Sequence, residues 1–170
     1  ASLAYKKELE AAGFEFRLNP GSNGVSIMLG GQVLPTRKHY DPNLPWVGPD
    51  PEKALKVRKA LNLAVNKKDI IDNLYMGTAE PLIFSPLRPG DPWVDPAWKP
   101  YGYDPEKAKK LLSEAGYPKG FNIRFKLTTL PGRAEYPDIA KAVAMYWEKI
   151  GVRVKLEPSE HVLVRKDCTA

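Results

Sequence analysis

Glu157 and Glu160 stand three residues apart. They come nearest in this chain to the two carboxylates that general acid–base hydrolysis requires. At a strand end, two exposed glutamates are more often simply solvated, so the pair alone does not make a hydrolase. His39, His161 and Cys168 carry metal-ligating atoms, but neither histidine sits in HxxxH or HExxH and the cysteine has no CxxC partner. Unrelated surface or loop histidines are the simpler reading, and no metal is expected. Ser22, Ser26, Ser85 and Ser113 lie outside any GxSxG elbow, and Gly21, Gly24, Gly30 and Gly31 do not form GxGxxG or a phosphate loop. No cofactor is implied, and the chain reads as a non-enzyme. A stacking series remains, Trp93, Trp98, Tyr101, Tyr103 and Tyr117, which could lie against bases or sugars. More commonly such rings pin proline-rich chain to a domain.

The net charge of +6 makes a basic nucleic-acid-binding domain the alternative to weigh. Lysines and arginines are interleaved with acids, however, which favours a mixed solvated surface, and no nucleic-acid partner is expected. With 170 residues, 43% hydrophobic and 27% charged, the chain suits one ordinary domain with its own core. Seventeen prolines demand long, shaped connections. No apolar run is long enough to span a bilayer.

The elements follow from punctuation and period. Leu3 to Ala12 reads as a helix. Phe14–Leu18 and Val25–Leu29 alternate as two strands around the turn residues Pro20-Gly21 and Asn23-Gly24, predicting a hairpin. The stretch from Gly30 to Gly48 is a long loop, of the kind that is functional or wraps a neighbouring surface. Asp50-Pro51-Glu52 opens a helix with the stripe Ala54, Val57, Leu61 and Ala64. Asn66 caps a shorter one, with Ile70, Ile71 and Leu74 as its buried side. Asp104-Pro105-Glu106 repeats the start signal, and Ala108, Leu111, Leu112 and Ala115 form the next stripe before Gly116 and Pro118 stop it. Then come a strand at Asn122–Thr129, a helix from Ala134 to Ile150 buried through Ile139, Val143, Tyr146 and Ile150, and a strand at Val152–Glu157. That strand–helix–strand run predicts a parallel crossover in an α/β fold.

Val57–Pro81, "VRKALNLAVNKKDIIDNLYMGTAEP", then a proline-rich bridge, then Tyr103–Phe121, "YDPEKAKKLLSEAGYPKGF", resemble the family 5 extracytoplasmic solute-binding proteins. These are the peptide-, dipeptide- and nickel-binding components of ABC importers. Ala144–Glu160, "AMYWEKIGVRVKLEPSE", resembles the family's helix and strand before its cleft segment. The resemblance covers nearly all of the chain. It implies an α/β fold in which residues 1–170 form a single lobe of a type II periplasmic-binding-protein-like pair, with a mixed sheet flanked by helices. It also implies an extracytoplasmic location, with lipid anchoring through a preceding segment, and a fragment of a longer two-lobed receptor.

The partners implied are a small solute (oligopeptide, oligosaccharide or metal chelate) and a membrane permease. Position by position, the cleft-facing edges fall at Ser26 and Met28, at Thr129, at Tyr136 beginning the long helix, and at Glu160 and His161 after the last strand. Met28 departs from a polar residue found in some members, His161 from an aromatic, and Cys168 from a basic side chain.

Overall fold

The computed structural model describes residues 5–15, 24–84, 87–130, 132–160, 162 and 164. Among these residues the named elements follow in order: α1 (Lys6–Ala11), α2 (Pro51–Leu63), α3 (Lys67–Tyr75), α4 (Pro105–Glu114), β1 (Asn122–Thr129), α5 (Tyr136–Glu148) and β2 (Arg153–Glu160). They divide between two compact units, residues 1–26 with 67–100 and residues 27–66 with 101–170.

The second unit holds the sheet. α2 begins where expected because the Asp50 carboxylate accepts from the backbone N–H groups of Glu52 (3.0 Å) and Lys53 (3.1 Å), with Pro51 at the first helical position. Asp104 does the same for α4, accepting from the Lys107 N–H at 2.9 Å. α2 packs against α4. The Asp104 N–H donates to the Leu63 carbonyl at 2.9 Å, and Lys56 Nζ meets a Glu114 carboxylate oxygen at 2.9 Å. The expected stripes are buried: Ala54, Val57, Leu61 and Ala64 on the α2 side, Ala108, Leu112 and Ala115 on the α4 side, and Ile139, Val143, Tyr146 and Ile150 on and just beyond α5. Leu111 is only half-buried. The Trp147 indole N–H ties α5 to α2, donating to the Leu61 carbonyl at 2.9 Å inside the core.

β1 and β2 pair in parallel, from Asn122↔Arg153 to Thr129↔Glu160, with α5 as the crossover between them and packed against both. Alternation then sorts the faces. Phe125 stacks 5.7 Å from Trp147 on the α5 side. Arg124, one residue earlier on the other face, reaches Glu157 Oε2 through its Nε and one Nη, each at 3.0 Å. β2 continues three residues past its expected end, through Pro158. Proline is admissible on an edge strand, where its missing N–H costs no ladder bond. The strand entrances pass so closely that a Cβ on Gly120 (φ +69°) would lie 1.9 Å from the Gly151 carbonyl oxygen.

The first unit contains α1, α3 and the proline-rich stretch. α3 ends in two successive left-handed residues, Met76 (φ 49°) and Gly77 (φ 70°), with the Gly77 N–H returning to the Ile71 carbonyl at 3.2 Å. Ile70, Ile71 and Leu74 are half-buried rather than buried.

One expectation for the sheet is corrected. Val25–Leu29 is irregular, and Met28 is 73% exposed: alternation permits a strand, but a strand requires a partner, and none pairs with this segment among the described residues. Phe14 and Glu15 are likewise irregular, and the rest of the expected first strand lies outside the described residues. Among the described residues the sheet is the parallel pair β1–β2. No helix among the described residues is long and apolar enough to cross a membrane.

Candidate functional site

In a parallel strand–helix–strand unit, side chains that meet a ligand gather beyond the carboxyl ends of the strands, where loops leave the sheet and the next helix begins. Here that edge is built by the last residues of β1 and β2 and the turn into α5. Thr129 and Glu160 are register partners at the final rung, and both are exposed. The chain then turns at Leu130, whose carbonyl accepts from the Arg133 N–H at 2.9 Å, and the Arg133 carbonyl accepts from the Tyr136 N–H at 3.3 Å. Tyr136 starts α5 half-buried, and the Arg133 guanidinium carbon lies 6.0 Å from its ring centroid. A carboxylate oxygen of Glu135 lies 3.9 Å from Arg133.

The structure thus unites Thr129, Tyr136 and Glu160 at one edge of one unit. Ser26 belongs to the other unit and is exposed, and Met28 is exposed on irregular chain. His161 lies outside the described residues. The sequence reading did not single out Arg133, which the structure sets beside Tyr136. Its signal was available, a lone cation in the short link between the end of a strand and an aromatic at a helix start.

A general acid needs a carboxyl held above its ordinary range. Glu157 is pushed the other way: its bond to Arg124, helped by Lys155 at 3.4 Å, holds it below the usual carboxylate range despite partial desolvation. It stays ionised, with no proton to give, and alternation along β2 sets Glu160 on the opposite face. Among the described residues, no group of three His, Cys, Asp or Glu side chains could hold a metal ion. A shallow hollow of about 260 Å³, lined in part by Lys109, Lys119 and Lys149, lies at the opposite pole, by the N-terminal ends of the strands. Two of its lysines are engaged, Lys109 with Glu106 at 3.0 Å and Lys149 over the Tyr146 ring at 4.7 Å. Thr129 and Glu160 are exposed at the carboxyl end, a placement that suits one wall of a cleft.

Residues 39–168 match the family described as bacterial extracellular solute-binding proteins, family 5 (Middle). The chain belongs to this family, whose members are binding proteins of ABC importers. Heme-binding protein A of Haemophilus influenzae is 42% identical over 118 residues, 65% of this chain and 21% of that protein. The dipeptide-binding protein of Escherichia coli is 40% identical over 107 residues, 60% of this chain and 19% of that protein. Among solved structures, the ABC-transporter-associated periplasmic binding protein DppA of Helicobacter pylori, in complex with the peptide STSA, superposes with a TM-score of 0.54 at 36% identity, covering 64% of this chain and 20% of that one. The chain therefore spans about a fifth of the length of these relatives. The comparisons give no support to the nucleic-acid alternative.

Proposed function

We propose that this chain forms one wall of a solute receptor, that residues 1–170 all belong to that wall's lobe, and that the receptor captures a small solute outside the cytoplasm for an ABC permease. The supporting observation is the gathering of Thr129, Arg133, Tyr136 and Glu160 at the carboxyl end of the β1–α5–β2 unit, in a chain of family 5. Thr129 offers a hydroxyl there, Tyr136 a ring, Arg133 a forked donor and Glu160 a carboxylate. A short zwitterionic peptide presents the complements: an α-carboxylate for Arg133 and an ammonium for Glu160. Peptide-like solutes therefore fit this edge better than neutral sugars do, and a chelate with free carboxylates would use Arg133 alone. Ser26, Met28 and His161 are the remaining proposed contacts.

Such receptors hold their ligand by closing two walls on it, so contacts made only in the closed state supply most of the affinity. One wall alone should bind weakly. Isothermal titration calorimetry of this chain against di- and tripeptides tests this. We expect no affinity tighter than micromolar, and a submicromolar dissociation constant would contradict the one-wall reading.

A further inference from the structure

We propose that the tip of the loop between Gly31 and Tyr40 is an interfacial contact for an anionic lipid surface. Backbone hydrogen bonds close the loop on itself. Gln32 bridges to Tyr40, and the Gln32 N–H donates to the His39 carbonyl at 3.1 Å, closing the neck. Inside the neck, the Arg37 N–H donates to the Leu34 carbonyl at 3.0 Å and the Tyr40 N–H to the Arg37 carbonyl at 3.1 Å. Pro35 at the second position of the first turn fixes its φ. The base is bolted down: the Trp46 indole N–H donates to the Gly30 carbonyl at 2.6 Å, the Arg58 guanidinium donates to the Trp46 carbonyl at 2.5 Å, and the Trp46 ring lies 6.2 Å from Phe121. Gly31 (φ +89°) admits the close approach of the Leu44 side chain, whose Cδ1 would lie 2.6 Å from a Cβ there.

On this anchored base the tip carries two kinds of side chain. Val33 is 61% exposed and Leu34 53% exposed, beside the exposed Pro35. Arg37 and Lys38, three and four residues on, are exposed, and among the described residues neither is paired with a carboxylate. An ordered loop that offers branched apolar side chains beside unneutralised cations matches a surface with an apolar interior and an anionic rim, which is the chemistry of an acidic bilayer interface. A neutral bilayer would leave the cations unanswered. An acidic soluble partner would leave the apolar side chains wet.

Co-sedimentation of the full chain with vesicles of phosphatidylglycerol and phosphatidylcholine, compared with phosphatidylcholine alone, tests this. We expect binding to the acidic vesicles only. The double variant Arg37→Gln/Lys38→Gln should weaken it by about thirtyfold, at roughly one decade or less per cation. Val33→Ser/Leu34→Ser should weaken it as well, and because all four side chains are exposed, thermal unfolding should be unchanged in both variants. The charge-matched pair Lys107→Gln/Lys110→Gln on α4 should retain most of the binding. Absence of binding to acidic vesicles would overturn the proposal. So would equal losses in the two charge variants, which would reduce the effect to net charge. Sedimentation velocity showing a dimer that Val33→Ser/Leu34→Ser dissolves would overturn it too, by assigning the tip to a second copy of the chain.

Discussion

The two units use the same helix grammar and reach different ends. In the unit of residues 27–66 and 101–170, each stripe finds a facing element: α2 meets α4, and α5 meets both strands. In the unit of residues 1–26 and 67–100, α3 carries Ile70, Ile71 and Leu74 at helical spacing, yet none is fully buried, and Val94 is the one buried apolar side chain among that unit's described residues. Caps and periodicity decide where a helix forms. A core needs a second surface shaped to receive the stripe.

Substitutions can break this contrast. The largest expected loss is Trp147→Ala, which removes a buried indole and its bond to the Leu61 carbonyl and should cost about 3–5 kcal/mol in urea unfolding. Val94→Ala in the other unit should cost only about 1.5 kcal/mol, at roughly 0.8 kcal/mol per lost methylene; equal losses would erase the distinction. Gly120→Ala comes next. It places a Cβ against the Gly151 backbone at a positive φ, and left-handed strain and overpacking together should cost about 3 kcal/mol in the same assay. Met76→Gly acts with the opposite sign, because a left-handed methionine is replaced by the residue that adopts this conformation without a Cβ penalty. We expect about 1 kcal/mol of added protection for α3 in amide hydrogen exchange; slower exchange would sharpen the contrast, and faster exchange would refute the strain at Met76.

The smallest effect is electrostatic. The hydrogen bond from Lys56 holds Glu114 below its ordinary 4.5, and the same bond raises Lys56 above 10.5. A carboxylate with a lowered folded pKa stabilises above its unfolded value and loses that contribution as pH falls through the folded one. A lysine with a raised pKa stabilises below its unfolded value and loses that as pH rises through the folded one. The pair therefore stabilises fully between about pH 5 and pH 10. Both side chains are more than a third exposed, so the effect is screened and modest. Glu114→Gln should flatten the acid limb of a stability–pH curve slightly; an unchanged limb would show that the pair contributes nothing.

The cored unit was largely legible in the sequence, because its signals are local. Asp50 and Asp104 mark helix starts through side-chain geometry that neighbouring residues complete, and the β1–α5–β2 order announces a parallel pair. The segment Val25–Leu29 was misread because strand character depends on a partner elsewhere in the chain, which alternation does not record. Of the proposed recognition edge, Thr129, Tyr136 and Glu160 were expected from the resemblance, and they lie at the carboxyl end of the same strand–helix–strand unit. Arg133 was not, because its significance arises only when the turn from Leu130 folds it toward the Tyr136 ring. The half-burial of α3 was illegible for the same reason as the missing strand, since it is a property of what faces the helix.

Amide chemical-shift mapping by NMR, with a zwitterionic tripeptide titrated into this chain at millimolar concentration, tests the recognition edge most directly. We expect saturable shifts centred on Thr129, Arg133, Tyr136 and Glu160, with the hollow around Lys109 and Lys119 unmoved. Shifts confined to that hollow or to the Arg124–Lys155 face, or no shifts at any concentration, would contradict the assignment of ligand capture to the carboxyl edge of β1 and β2.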